Sequence, residues 1–262
     1  MDNQYFIKAV ELFKTFTEVD AITLGGSRAT GRYDAGSDYD IYVYLNRDLD
    51  PEKRREALAQ VCDYMEIDNQ YFETEDDCVL KDGIGFEIIY RTIDDIRESL
   101  TNTLVNHIAW GGYTTCICFN IFNSKILHDP HGLYEKMVAD FTNPYPDELR
   151  KNIITKNRAL LAGKIPSFYG QIEQAIKRND INSINHRTTE FLACYFDILF
   201  AINRELHPGE KRLLEYGAGL KYVPVDFTVD LTDLLSVKDK EKILPLLKKI
   251  VADIDDLIAK FA

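Results

Sequence analysis

Between residues 21 and 45 the chain reads Ala-Ile-Thr-Leu, then Gly25-Gly26-Ser27. Eleven residues after Ser27, Asp38-Tyr39-Asp40 opens a second apolar run that ends at Leu45. No other stretch constrains the fold as much. Residues 21–24 read as a short buried strand, and 40–45 alternate as a second. Two adjacent glycines allow torsions and close approach denied to other residues. The chain enters a helix at Ser27, and the first N–H groups of a helix make a cradle for anions. Asp38 and Asp40 are two residues apart, so strand alternation turns both carboxylates to one face. Side by side they repel unless a cation lies between them. Hard oxygen ligands of this kind suit Mg²⁺ shared with substrate phosphates.

A third carboxylate from a neighbouring strand would complete such a site. Glu87 is the candidate, alone among Ile84, Phe86, Ile88 and Ile89. An acid in a buried strand is costly without a partner. Metal ligation and proton transfer both remain open for it.

The rest of the pattern divides in two. Helices are predicted over 3–18 and from Pro51 to about Met65, strands near 69–73 and over 84–91, and a helix over 93–105. Residues 113–127 fit helix and strand equally. From about 133 the spacing is helical, with segments at 146–163, 167–179, 181–206 and 238–260. Thr142 to Pro146 reads as the junction. The expected fold is α+β: a mixed sheet flanked by helices over 1–142, then an all-α helical bundle over 143–262.

Composition excludes several classes. With 14 Phe and 15 Tyr the chain is not disordered. No apolar run approaches the roughly 18 residues of a membrane span. The N-terminus lacks the basic start and cleavage site of a signal peptide, and the five Cys form no CxxC, so a reduced, cytoplasmic protein is expected. The net charge of −12 argues against nucleic acid as a partner. Residues 1–144 carry 13 Lys and Arg against 26 Asp and Glu, which suits a cationic or metal-bound substrate. His107, His128, His131, His186 and His207 show no ligand spacing and read as caps or surface residues.

Gly26-Ser27 followed by Ser37-Asp38-Tyr39-Asp40 resembles the signature of the polymerase-β-like nucleotidyltransferase superfamily. Residues 126–132, Ile-Leu-His-Asp-Pro-His-Gly, are similar to a segment that follows the core in antibiotic-modifying members. The aminoglycoside and lincosamide nucleotidyltransferases also pair such a core with a helical domain. Residues 199–212 resemble a segment of uncharacterised relatives of those enzymes.

The resemblance implies that Gly26 and Ser27 hold the β- and γ-phosphates of a nucleoside triphosphate, ATP by default. It implies that Asp38 and Asp40 bind Mg²⁺, and that Glu87 is a third ligand or the base. Arg28 would add charge to the phosphate turn or stand as a surface Arg. Lys211 and Arg212 would reach the triphosphate from the helical domain. The implied chemistry is attack of an acceptor hydroxyl on the α-phosphorus with pyrophosphate leaving. The acceptor would be a small molecule, with an antibiotic as the family example. By analogy the resemblance extends to a homodimer. A protein target and a non-catalytic, antitoxin-like nucleotide-binding module are the alternatives.

Overall fold

A computed structural model describes residues 3–142, 145–163 and 165–261. The chain forms two units, one of Met1–Leu100 with Asn120–Thr142, the other of Thr101–Phe119 with Asn143–Ala262.

The first unit is built on α1 (Gln4–Phe13), β1 (Val19–Leu24), α2 (Gly26–Thr30), β2 (Tyr39–Leu45), α3 (Pro51–Leu58), β3 (Cys62–Asn69), β4 (Glu75–Leu80), β5 (Gly85–Arg91) and α4 (Ile93–Leu100). After residues 101–119 it is completed by the end of α5 (Cys116–Asn123), β6 (Lys125–His128) and α6 (Leu133–Phe141). Six strands lie in the order β3-β4-β5-β2-β1-β6. All neighbours are antiparallel except β2 and β5.

One face of the sheet is the core. Ile22, Leu24, Ile41, Val43, Phe86 and Ile88 are buried there with Phe6, Val10 and Phe13 of α1. Each such side chain contributes about 1.5–3 kcal/mol. Asn3 caps α1 by accepting from the N–H groups of Tyr5 and Phe6. Phe6 stacks on Tyr39 with ring centroids 4.1 Å apart, which fixes the entry of β2 between Asp38 and Asp40. The opposite face carries the residues of interest.

Several elements differ from expectation. The helix from Pro51 ends at Leu58 rather than near Met65, and 62–69 is β3. The strand expected near 69–73 is the turn between β3 and β4. The helix expected over 93–105 gives way at residue 101 to a π-helical turn, Thr101–Val105. The ambiguous 113–127 segment is both α5 and the start of β6. Residues 101–119, expected in the first part of the chain, belong to the second unit; the expected junction, at 143–144, lies outside the described residues.

The second unit contains α7 (Asp147–Ala162), α8 (Phe168–Lys177), α9 (Ile181–Asn203), α10 (Leu213–Ala218), α11 (Phe227–Ser236) and α12 (Ile243–Phe261). From Phe191 to Ile202, α9 is buried nearly all round, so it is the central helix. Asp197 lies in that stretch. Its carboxylate accepts from Thr114 N (3.0 Å), Thr114 Oγ1 (2.7 Å) and Asn157 Nδ2 (2.9 Å). Asn157 Oδ1 accepts from Gly112 N at 2.8 Å. These bonds satisfy buried polar groups and hold 110–114 against α7 and α9. His207 departs from the expected cap or surface role. It is fully buried, its Nδ1 accepts from Gly209 N at 3.1 Å, and its rings of contact are Tyr113 and Phe200.

Candidate active site

The turn after β1 is made by two glycines for two reasons. Gly25 lies flat against the Tyr42 ring, where a Cβ would collide. Gly26 has φ +59 and faces the Asp40 carboxylate just as closely. Gly25 N donates to Asp40 O at 2.8 Å, so the turn and the head of β2 are tied through the backbone. Ser27 follows in the first turn of α2, and Gly31, at φ 76, ends that helix.

β2 and β5 run parallel in a register that sets Asp40 beside Glu87. The two carboxyl groups share a hydrogen bond. Burial first, and then this bond and the Asp40 charge, push the Glu87 carboxyl up to about 7. Asp38 precedes the strand and is exposed. Its carboxylate lies against Gly85, two residues before Glu87 on the same face. Gly85 thus leaves the room that Asp38 fills. Asp38, Asp40 and Glu87 therefore meet on one face, beside the start of α2.

Among the described residues no three His, Cys, Asp or Glu side chains form a ready metal cage. The donor set still fits a hard divalent cation. Asp38, Asp40 and Glu87 lie on one face, Asp40 and Glu87 are joined by a hydrogen bond, and two glycines leave the space they need.

Arg28 is bonded to the loop that carries Asp38. Its Nε donates to Ser37 O and Asp38 O, each at 3.0 Å, and its Nη2 to Ser37 O at 2.5 Å. The guanidinium lies 3.9 Å from the Tyr39 ring centroid. It fastens the 33–38 loop to α2 and so places Asp38. Lys211 and Arg212 are exposed in the second unit, in the segment before α10. Two further acids of the site face, Glu75 and Asp77 of β4, were passed over in the sequence. The only signal was the acid run at 73–77.

Residues 8–90 match the family model of the polymerase β nucleotidyltransferase domain. They are a nucleotidyltransferase domain. Within it lie all of Gly26, Ser27, Asp38, Asp40 and Glu87. Residues 112–213 match a second family, described as a domain of unknown function (DUF4037). That span holds the Thr114, Asn157 and Asp197 network and His207. None of the curated proteins matches the chain. Among solved structures, a nucleotidyltransferase-like protein from Exiguobacterium sibiricum is similar at 10% identity and a TM-score of 0.46, over 98% of this chain and 74% of that one. An aminoglycoside 6-adenyltransferase from Bacillus subtilis is similar at 12% identity and 0.34, over 99% and 92%. The nucleotidyltransferase domain rests on the family match and the sheet, not on these distant likenesses. No helix of the described residues is long and apolar enough to cross a membrane.

Proposed function

We propose that the protein moves a nucleoside monophosphate, AMP from ATP in the first instance, onto a hydroxyl of a small acceptor. The observation that carries this is the meeting of Asp38, Asp40 and Glu87 beside the Gly25-Gly26 turn within the matched domain. Gly26 and Ser27 hold the β- and γ-phosphates. Asp38 and Asp40 hold Mg²⁺, with Glu87 as a further ligand or as the base. When bound, the ion neutralises phosphate charge and polarises the α-phosphoryl group. Glu87 accepts the acceptor's hydroxyl proton as the new O–P bond forms, and the bond from the α-phosphorus to pyrophosphate breaks. Arg28 keeps Asp38 in place.

An antibiotic of the aminoglycoside or lincosamide type is one acceptor of the right kind. The deciding experiment is an acceptor screen read by pyrophosphate release, run with each of the four common triphosphates and Mg²⁺. Acceptor-dependent release that EDTA abolishes supports the reading. Labelled protein in place of labelled acceptor would move it to protein modification, and binding without release would make the chain a nucleotide-binding module.

A further inference from the structure

Two adjacent glycines make the turn after β1, and the backbone requires only one of them. Gly26 has φ +59. Gly25 has φ −107 and ψ −156, an extended conformation open to any residue. What excludes a side chain at residue 25 is Tyr42. In the register of β1 and β2, Tyr42 lies opposite Thr23, and its ring reaches the diagonal position at residue 25. A Cβ on Gly25 would lie 2.3 Å from Tyr42 Cε2 and 3.2 Å from Cδ2.

The ring has little freedom to give way. Tyr42 is 7% exposed, and its hydroxyl accepts from Asn120 Nδ2 of α5 at 2.8 Å. The Arg91 guanidinium of β5 lies 4.4 Å from the ring centroid. Arg91 is held in turn by the Glu73 carboxylate, to which Nε donates at 2.9 Å and Nη2 at 2.6 Å. Tyr42 is therefore fixed from α5, from β5 and from the turn. It shares the face of Asp40, two residues before it, whereas Ile41 and Val43 turn to the apolar core.

We propose that Tyr42 positions the glycine turn for the triphosphate. The role rests on the transfer reading, in which Gly26 and Ser27 hold the β- and γ-phosphates. Tyr42 acts through Gly25, for which its ring is the wall. Gly25 N donates to Asp40 O at 2.8 Å, so a shift of residue 25 moves Gly26 and Ser27 relative to Asp40. The glycine at 25 answers the ring, as the glycine at 26 answers the Asp40 carboxylate.

The test is a size-complementation cycle on the full chain, read by Mg-ATP affinity in isothermal titration, with Tm measured on the same samples. Gly25→Ala should weaken Mg-ATP binding about 10²-fold, the effect of a misplaced turn. Tyr42→Leu removes the wall and should weaken it at least about ten-fold. The double variant should match Tyr42→Leu alone, because the added methyl enters space that the ring has left. Tyr42→Phe keeps the ring, loses only the Asn120 bond and should cost about five-fold or less. In that background Gly25→Ala should not be rescued. Losses that multiply in the double variant would overturn the proposal, as would wild-type affinity in Tyr42→Leu. Coupling seen in Tm but absent from Mg-ATP affinity would also overturn it, leaving Tyr42 as a packing residue. Should Gly25→Ala not fold alone, the double variant is compared directly with Tyr42→Leu: equal affinity supports the role, and lost affinity overturns it. Wild type that takes no Mg-ATP would remove the transfer reading and this role together. Wild type that takes Mg-ATP without coupling between residues 25 and 42 would remove this role alone.

Discussion

The carboxylate of Asp40 occupies the space that a side chain at residue 26 would need. Gly26 also has φ +59, in the left-handed region. Gly26→Ala therefore combines a backbone cost of about 1–2 kcal/mol with displacement of a proposed metal ligand. Stability should fall by about 1–3 kcal/mol and transfer should be lost. Gly31→Ala is the matched control: its φ is 76, but nothing lies within 4 Å of a Cβ there. It should show the backbone cost alone and keep its activity. Urea melts and pyrophosphate release separate the two.

Asp40→Asn should abolish transfer without harming the fold. In metal-free protein the change removes one charge from a repelling pair, so Tm should hold or rise. The pH dependence follows from Glu87. Its carboxyl is raised in the folded state, to about 7 from 4.5, so its contribution is complete at low pH and lost as pH rises through 7. Metal-free wild type should lose stability over that window. Asp40→Asn should flatten the loss, as read from Tm against pH in EDTA.

Glu87→Gln keeps size and most hydrogen bonding but cannot accept a proton. Nucleotide binding should survive within a few-fold, and turnover should drop about 10²-fold or more. Normal turnover would remove the base role. Loss of nucleotide binding would leave Glu87 as a ligand only.

Arg28 touches the loop that bears Asp38, so its loss should lower kcat more than it raises the KM for triphosphate. Arg28→Ala with a ten-fold KM increase and unchanged kcat would instead make it a phosphate contact.

In the helical unit two buried groups act in opposite directions on acidification. Burial pushes the Asp197 carboxyl up to about 6, so its contribution is complete below the ordinary carboxylate range and lost as pH rises through 6. Burial holds the His207 imidazole down at about 4 against the usual 6.5. That stability is complete above 6.5 and lost as pH falls toward 4. Relative to wild type, Asp197→Asn should therefore steepen the loss of Tm between pH 6 and 4. His207→Gln should reduce it.

The glycine turn, the two aspartates and the shared face of Glu87 were all legible, because each follows from local pattern: adjacent glycines, an i, i+2 pair, strand alternation. The β3–β4 hairpin was not. Its inward residue Asp76 is an acid because Arg54 and Tyr90 neutralise it. On the other side, Glu75 and Asp77 remove the polar–apolar contrast on which a period of two depends. That residues 101–119 belong to the helical unit was not legible either, for a related reason. What holds them is hydrogen bonding to Asn157 and Asp197, far along the chain and unmarked by any apolar periodicity.

That last contact has a consequence for how the chain is made. Thr114 leaves the ribosome 83 residues ahead of Asp197, the carboxylate that receives its N–H and hydroxyl. Synthesis runs at about 5–20 residues per second, so for several seconds this loop is a guest without its host. The strands of the sheet are by then complete, since β6 ends at His128. A nascent chain stalled before residue 197 should hold a formed sheet and a protease-sensitive 101–119 segment, and release past α9 should protect it.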